Sequence, residues 1–123
     1  MSHIVGLGGI FIKCQNLEET RRFYTEILEI PLQAWGGVQF FFREDDTKSG
    51  YSNLSFFKSD SNYMAPSTQP FMINLRVRDF DGLLRRLKDK NVPLVGEPVS
   101  EEYGKFAWVL DPEGNKIELW EQL

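Results

Sequence analysis

The sequence has little cysteine and little histidine, and both shortages limit the chemistry that it can support. Cys14 is the only cysteine among 123 residues, and His3 is the only histidine. A single thiol cannot form an internal disulfide, and it is typical of a protein from a reducing compartment. Because Cys14 lies in an alternating strand pattern, we interpret it as a core residue rather than a reactive nucleophile.

Long apolar runs and concentrated positive charge are also missing. No apolar stretch approaches the roughly 20 residues of a membrane-spanning helix, and the first four residues lack the features of a secretory signal. The 14 Lys and Arg are scattered among 18 Asp and Glu, which gives a net charge of −4. We therefore expect a cytoplasmic protein with a small-molecule partner, bound to neither nucleic acid nor membrane.

The residues that are present suit one compact domain over 1–123. The composition is 41% hydrophobic and 14% aromatic, which is enough to bury one core at this length and leaves no room for a second domain. Two stretches, 16–32 and 79–95, resemble each other and indicate an internal repeat. Each begins with a helix-capping residue, Asn16 or Asp79, and continues with apolar residues at helical spacing.

Strand patterns surround both predicted helices. Alternating apolar residues at 10–14 and 73–77 predict one strand before each helix. Three further strand-like runs follow each helix, at 32–35, 38–43 and 52–57 in the first half and at 98–101, 105–110 and 116–120 in the second. The polar cluster 44–50 is interpreted as a loop, and the Ser-, Asn- and Pro-rich stretch 59–70 as a linker.

These patterns predict an α+β fold. Two tandem βαβββ modules, 1–58 and 71–123, would form a curved mixed eight-stranded sheet around a cleft, with the helices outside.

Two motifs carry a resemblance to a known family. The stretch from Arg22 to Leu28, preceded by Asn16-Leu17-Glu18, is similar to a helix written "FY..vLG", and Asp111 to Leu119 is similar to an ending written "DPdGn.iEL". Together with the repeat, these motifs make the chain resemble the glyoxalase/bleomycin resistance/extradiol dioxygenase superfamily, also called vicinal oxygen chelate. The resemblance covers nearly the whole chain.

The resemblance also implies where a metal would be held, and most of those positions have changed. Family members take a His from the first strand of each half, and the matching residues here are Gly9 and Met72. Glycine has no side chain, and a thioether suits only soft ions. The third family ligand is present as Glu118, and its counterpart in the first half falls near Ser55. Because a catalytic divalent site needs about three protein ligands, we expect no cofactor.

Glu118 is the candidate catalytic residue, as a general base or as an acceptor for a ligand. The alternative is that Glu118 pairs with Arg76 or Lys13 only to avoid an unpaired buried charge. The candidate ligand-binding residues share the predicted inner face or its edge, although the aromatic ones also suit a core. They are Phe11, Lys13, Ser55, Phe57, Met72, Asn74, Arg76, Tyr103, Lys105, Trp108 and Trp120.

The sequence thus predicts a glyoxalase/bleomycin resistance-like protein that binds a small organic molecule in the cleft, without the usual metal. One alternative is a metal-dependent lyase, isomerase or dioxygenase whose divalent ion has non-standard ligands. A second alternative is a dimerising scaffold with no ligand. Whether the protein is an enzyme stays open at this point. Family members often form homodimers, and we expect a homodimer, compact or with halves exchanged through the linker.

Overall fold

A computed structural model describes residues 2–27, 29–43 and 50–123. The described part of the chain is α+β and contains one mixed sheet of seven strands and two α-helices. The elements in chain order are β1 (Ile4–Cys14), α1 (Leu17–Arg22), β2 (Gly37–Phe41), β3 (Tyr51–Lys58), β4 (Phe71–Val77), α2 (Phe80–Asp89), β5 (Val99–Glu101), β6 (Gly104–Leu110) and β7 (Lys116–Gln122).

The sheet order places the first strand of each predicted half in the middle. The strands follow the order β2-β3-β1-β4-β7-β6-β5. The central pair, β1 and β4, is antiparallel, whereas β1 pairs with β3 and β4 pairs with β7 in parallel. Two similar halves meeting edge to edge would produce this order, but the internal duplication itself stays a prediction.

Both helices begin at the predicted capping residues. The Asn16 side chain accepts from the Glu19 backbone N–H at 3.0 Å, and its amide donates to the Glu19 carboxylate at 3.1 Å. Asp79 accepts from the Gly82 backbone N–H at 3.2 Å. Helix α1 is short and continues as a π-helical turn, Phe23–Ile27. Neither α-helix in the described part of the chain has the length and apolar content that crossing a bilayer requires.

Helix α2 covers one face of the second half of the sheet. Its buried Phe80 and Leu83 pack with Ala107, Val109 and Leu119 of the neighbouring strands. Because side chains alternate along a strand, the residues between these positions point to the opposite face. That opposite face carries the candidate functional residues of β4, β6 and β7, with the exception of Lys105, which lies on the α2 side.

One predicted strand is absent, so the prediction of eight strands is wrong for the described residues. Residues 32–35 form no strand; instead the Gly36 N–H donates to the Gln33 carbonyl at 3.0 Å in a tight turn. Gly36 has a φ of 101°, which favours glycine, and the preceding Pro31 has no N–H for a sheet. The predicted loop 44–50 lies outside the described residues except for Gly50.

Replacing Leu83 with alanine should test the contact between α2 and the sheet. Leu83 is buried, so Leu83→Ala should lower the free energy of unfolding by about 2–4 kcal/mol through lost burial and a cavity. Urea denaturation measures this change. The matched variant Arg85→Ala lies on the exposed side of the same helix and should change stability by less than about 0.5 kcal/mol. Equal losses in both variants would contradict the packing described.

Candidate functional site

A cavity of about 650 Å³ opens on the face of the sheet opposite α2. This volume lies within the range of small-molecule sites. Nine of its fourteen lining residues are aromatic and five are polar. The aromatic ones are Phe11, Trp35, Tyr51, Phe56, Phe57, Tyr63, Tyr103, Phe106 and Trp120, and the polar ones are Gln39, Asn53, Ser55, Asn74 and Glu118.

Glu118 is the most deeply buried charged group in this cavity, with 2% of its surface exposed. Its carboxyl group accepts three hydrogen bonds from side chains. Asn74 Nδ2 donates to Oε1 at 2.6 Å, and both Trp108 Nε1 and Tyr63 Oη donate to Oε2, at 2.8 Å and 2.5 Å. A buried carboxyl group needs such donors because it has lost its hydration.

The sheet register explains two of these partners. Glu118 of β7 pairs directly with Asn74 of β4 on one side and with Trp108 of β6 on the other. Cross-strand neighbours point to the same face, so their side chains meet. Tyr63 comes from the segment 59–70 between β3 and β4, and it reaches the same carboxyl group from outside the sheet.

Lys116 is a cation that contacts this group of side chains. Its Nζ donates to the Tyr63 carbonyl oxygen at 2.6 Å and lies 5.4 Å from the Tyr63 ring centroid and 5.6 Å from that of Trp108. Burial lowers the pKa of Lys116, and the charge of Glu118 opposes that shift. Burial also raises the pKa of the Tyr63 hydroxyl, and the neighbouring Glu118 raises it further. Tyr63 is therefore a hydroxyl donor that resists ionisation.

The aromatic side chains form two sets of ring contacts, which we call the Tyr63 wall and the Trp120 wall. In the Tyr63 wall, the Tyr63 ring stacks on Phe57 at 5.5 Å and meets Trp108 edge to face at 6.1 Å, while Phe57 also contacts Phe11. The Trp120 wall consists of Trp120 with Tyr51 at 5.2 Å and Phe106 at 6.3 Å, extended by Phe41 and Tyr103.

Seven of the twelve predicted site residues line the cavity: Phe11, Ser55, Phe57, Asn74, Tyr103, Glu118 and Trp120. The other five do not belong to its lining. Trp108 donates to Glu118, and Met72 is fully buried against Phe11 and Met64.

The three predicted cations are not among the lining residues, although the charge of Arg76 acts on the lining residue Tyr51. Arg76 places its guanidinium 5.0 Å from the Phe42 ring centroid, and Lys13 lies on β1 beside Phe57 of β3. Lys105 faces α2, where it pairs with Asp81 at 3.7 Å. Neither Arg76 nor Lys13 is a described hydrogen-bond partner of Glu118, whose donors are Asn74, Trp108 and Tyr63.

Sequence reasoning missed Tyr63, the residue that links segment 59–70 to the cavity. That segment was interpreted as a linker because of its Ser, Asn and Pro content. Inside it, however, Met64 is fully buried and packs with Phe11 and Met72. The adjacent pair Tyr63-Met64 was the available signal, since two large apolar side chains are unusual in a solvated linker.

The residues at the expected metal positions do not fit a divalent ion. Gly9 has no side chain, Met72 is enclosed by apolar neighbours, and both oxygens of Glu118 already accept hydrogen bonds. Throughout residues 2–27, 29–43 and 50–123, no three His, Cys, Asp or Glu side chains come together in a way that would hold a metal. A site with one carboxylate falls short of about three ligands.

Fold and site together define an α+β domain with a ligand-sized aromatic cavity. The model of the Glyoxalase/Bleomycin resistance protein/Dioxygenase superfamily matches residues 2–119. The chain belongs to this superfamily. No curated protein matches the chain.

Solved structures agree with this fold. A variant of Streptomyces coelicolor methylmalonyl-CoA epimerase in complex with 2-nitronate-propionyl-CoA is 19% identical, with a TM-score of 0.70 over 97% of this chain and 98% of that chain. Methylmalonyl-CoA epimerase from Mycobacterium tuberculosis is 18% identical, with a TM-score of 0.67 over 100% and 91%. A superfamily member from Vibrio splendidus 12B01 is 13% identical, with a TM-score of 0.60 over 92% and 96%. At these identities the likeness shows the fold alone.

Replacing Tyr63 with phenylalanine should show how much its hydrogen bond to Glu118 contributes to the free energy of unfolding. Tyr63→Phe keeps the ring but removes a donor from a buried acceptor, so the free energy of unfolding should fall by about 1–3 kcal/mol near neutral pH. The folded-state pKa of Tyr63 lies above its usual 10.0, so its stabilisation is complete below that pH and is lost as the pH rises further. The difference between wild type and variant should therefore shrink between about pH 9 and about pH 11.

Urea denaturation at both pH values measures this difference. Tyr103→Phe makes the same chemical change at an exposed tyrosine and is the matched control. It should leave stability nearly unchanged. A Tyr63→Phe variant as stable as Tyr103→Phe would contradict the hydrogen bond described.

Proposed function

We propose that the protein is a glyoxalase/bleomycin resistance-like protein that binds a small organic molecule in the cavity without the family's usual metal. The observation that carries this proposal is the cavity itself, about 650 Å³ and lined mainly by aromatic side chains around one buried carboxyl group. Aromatic walls with a few placed polar groups are typical of small-molecule sites.

The hydrogen bonds of Glu118 favour an anchoring role over the predicted catalytic one. A general base needs a free lone pair within reach of the proton that it removes. Here Oε2 accepts from both Trp108 and Tyr63 and Oε1 accepts from Asn74, so three of the four acceptor positions of the carboxylate are used within the protein and one, on Oε1, is left. In this proposal, Glu118 holds the side chains that shape the cavity, and ligand binding does not depend on turnover.

A thermal-shift screen of small organic molecules tests ligand binding. A compound that binds the folded protein at 100 times its Kd adds about 2.7 kcal/mol of stability, which raises the melting temperature by several degrees. At least one compound should produce such a shift, and isothermal titration calorimetry should show one site per chain. A library that shifts nothing would contradict the proposal.

A pair of variants locates the site of any compound that binds. Ser55→Trp places a large side chain in the cavity and should abolish the binding. Ser100→Trp makes the same change at an exposed position of edge strand β5 and should bind normally. Circular dichroism checks that both variants are folded. Normal binding by Ser55→Trp would place the ligand elsewhere.

We further propose that the protein is a homodimer, as members of the superfamily often are. We also propose that it is cytoplasmic, as its single cysteine suggests. The helix-bearing face of the central strands supports a dimer, because Leu7, Ile10 and Ile73 are 50%, 42% and 37% exposed there. Ile10 and Ile73 are cross-strand neighbours, so they form one apolar patch. Contiguous apolar patches of this kind often mark interfaces.

Sedimentation equilibrium tests the dimer. The wild type should sediment as a dimer, and Ile73→Lys should shift it towards monomer because a buried lysine charge is costly at an interface. Ser100→Lys adds the same charge at an exposed polar position and should remain dimeric. A wild-type monomer at high protein concentration would count against the proposal.

A further inference from the structure

We infer that the ligand is a small monocarboxylate, held by Arg76 at its carboxylate and by Glu118 at a hydrogen-bond donor on its other end. This inference rests on the proposed function and specifies the class of ligand for the same cavity. It depends on a cation without a described counter-ion, on the space beside that cation, and on the unused acceptors one position further along the sheet.

Arg76 is a half-buried cation, and none of the described ion pairs includes it. Its Nε is buried and has no hydrogen-bond acceptor among residues 2–27, 29–43 and 50–123. The guanidinium instead lies 5.0 Å from the Phe42 ring centroid, and a Cβ added to Gly50 would be 2.6 Å from its Nη2. Because a buried arginine is normally paired with an acid, a ligand carboxylate would supply the missing partner.

Strand β4 places Arg76 on the cavity face of the sheet. Asn74 and Arg76 are two residues apart, so both side chains leave β4 on the same face, and Asn74 lines the cavity. Trp120, the cross-strand neighbour of Arg76 on β7, lines it too. Burial raises the pKa of the lining residue Tyr51, and the charge of Arg76 opposes that shift. The field of Arg76 therefore reaches into this end of the cavity.

The neighbouring strand β1 leaves space beside Arg76. Gly6 is the cross-strand neighbour of Arg76 on β1, and a Cβ added there would meet no atom within 4 Å. At Gly8, a Cβ would lie 3.2 Å from Arg76 Cγ. Because glycine occupies both positions, β1 sends no side chain over the arginine there. A carboxylate has room to approach the guanidinium, which binds carboxylates through two parallel N–H···O bonds.

Glu118 and Asn74 supply acceptors one inner-face position away. Asn74 pairs with Glu118 across the strands as Arg76 pairs with Trp120, so the two pairs lie side by side, about 7 Å apart along the strands. One acceptor position of Glu118 Oε1 is unused, and Asn74 Oδ1 has no hydrogen-bond partner in the described part of the chain. These oxygens attract an O–H or N–H and repel a carboxylate. They therefore orient the ligand with its charge at Arg76.

One negative charge suits this cavity better than two. Arg76 brings one positive charge, and the described lining residues add no Lys, Arg or His. A phosphate ester carries a charge of about −1.5 to −2 at neutral pH. Part of that charge would lose its hydration without a cationic partner, in a cavity that already contains Glu118. A carboxylate is matched by Arg76 alone.

Three compounds of similar size test the charged end in the wild-type protein. 3-Phenylpropanoate and 3-phenylpropanamide differ in charge but hardly in shape, and 2-phenylethyl phosphate carries the larger charge. Isothermal titration calorimetry should give one site per chain for 3-phenylpropanoate. The amide and the phosphate should each bind at least about tenfold more weakly, which is the scale of a charge-assisted hydrogen-bonded pair. Equal or tighter binding of either one would overturn the inference.

Two further compounds test the donor end. 3-(4-Hydroxyphenyl)propanoate carries an O–H at the end opposite its carboxylate, and 3-(4-fluorophenyl)propanoate has a fluorine there, which cannot donate. The hydroxyl compound should bind about fivefold more tightly, because its proton meets the unused acceptor position of Glu118 Oε1. Equal affinities would overturn the orientation inferred.

Variants at two arginines assign the carboxylate to its partner. Arg76→Gln removes the charge but keeps a long polar side chain, so the preference for 3-phenylpropanoate over its amide should fall from about tenfold to about one. Arg86→Gln makes the same change on the exposed side of α2 and should keep the preference, since solvent and salt screen that charge. Circular dichroism checks that both variants are folded. An unchanged preference in Arg76→Gln would overturn the inference.

The outcomes also separate this inference from the proposed function. If library compounds bind in a manner abolished by Ser55→Trp while 3-phenylpropanoate binds no better than its amide, the inference fails and the proposed function stands. If neither library compounds nor probes bind, both fail. Should Arg76→Gln fail to fold, the comparison of the compounds on the wild type still decides.

Discussion

The arrangement of the site depends on keeping one buried carboxyl group satisfied. Glu118 is 2% exposed, and leaving such a group without partners would cost several kcal/mol. Its three donors come from β4, β6 and segment 59–70, so the hydrogen bonds join parts of the chain that are far apart in sequence. Satisfying the charge therefore fixes the positions of three side chains at once.

Two of those side chains belong to the Tyr63 wall. The rings of Tyr63 and Trp108 meet edge to face, and both donate to the same oxygen of Glu118. Segment 59–70 is held further by Met64, which is fully buried beside Phe11. The hydrogen bonds and the apolar packing thus act together, and they keep one wall of the cavity in place before any ligand arrives.

The sequence predicted well the elements whose signals are local. Helix α2 and the strands β4, β6 and β7 follow from periodicity, because one face of each packs into the same core. The strand predicted at 32–35 failed because a tight turn at Gly36 ends there. Tyr63 was missed since its role depends on Glu118, 55 positions away in sequence, and no local pattern reports such a contact.

The residues at the expected metal positions make apolar contacts or hydrogen bonds within the protein, or have no side chain, and none is left as a free ligand. Where the family resemblance implies two histidines, Gly9 adds no donor and Met72 joins the apolar contacts of Phe11 and Met64. A lone carboxylate left by those changes would be unpaired, but Tyr63, Trp108 and Asn74 supply neutral donors in its place. Neutral donors leave a negative charge at the cavity that a metal would have offset. The same changes leave Glu118 as a single carboxylate where a divalent ion needs about three ligands, in a cavity whose lining is mainly aromatic.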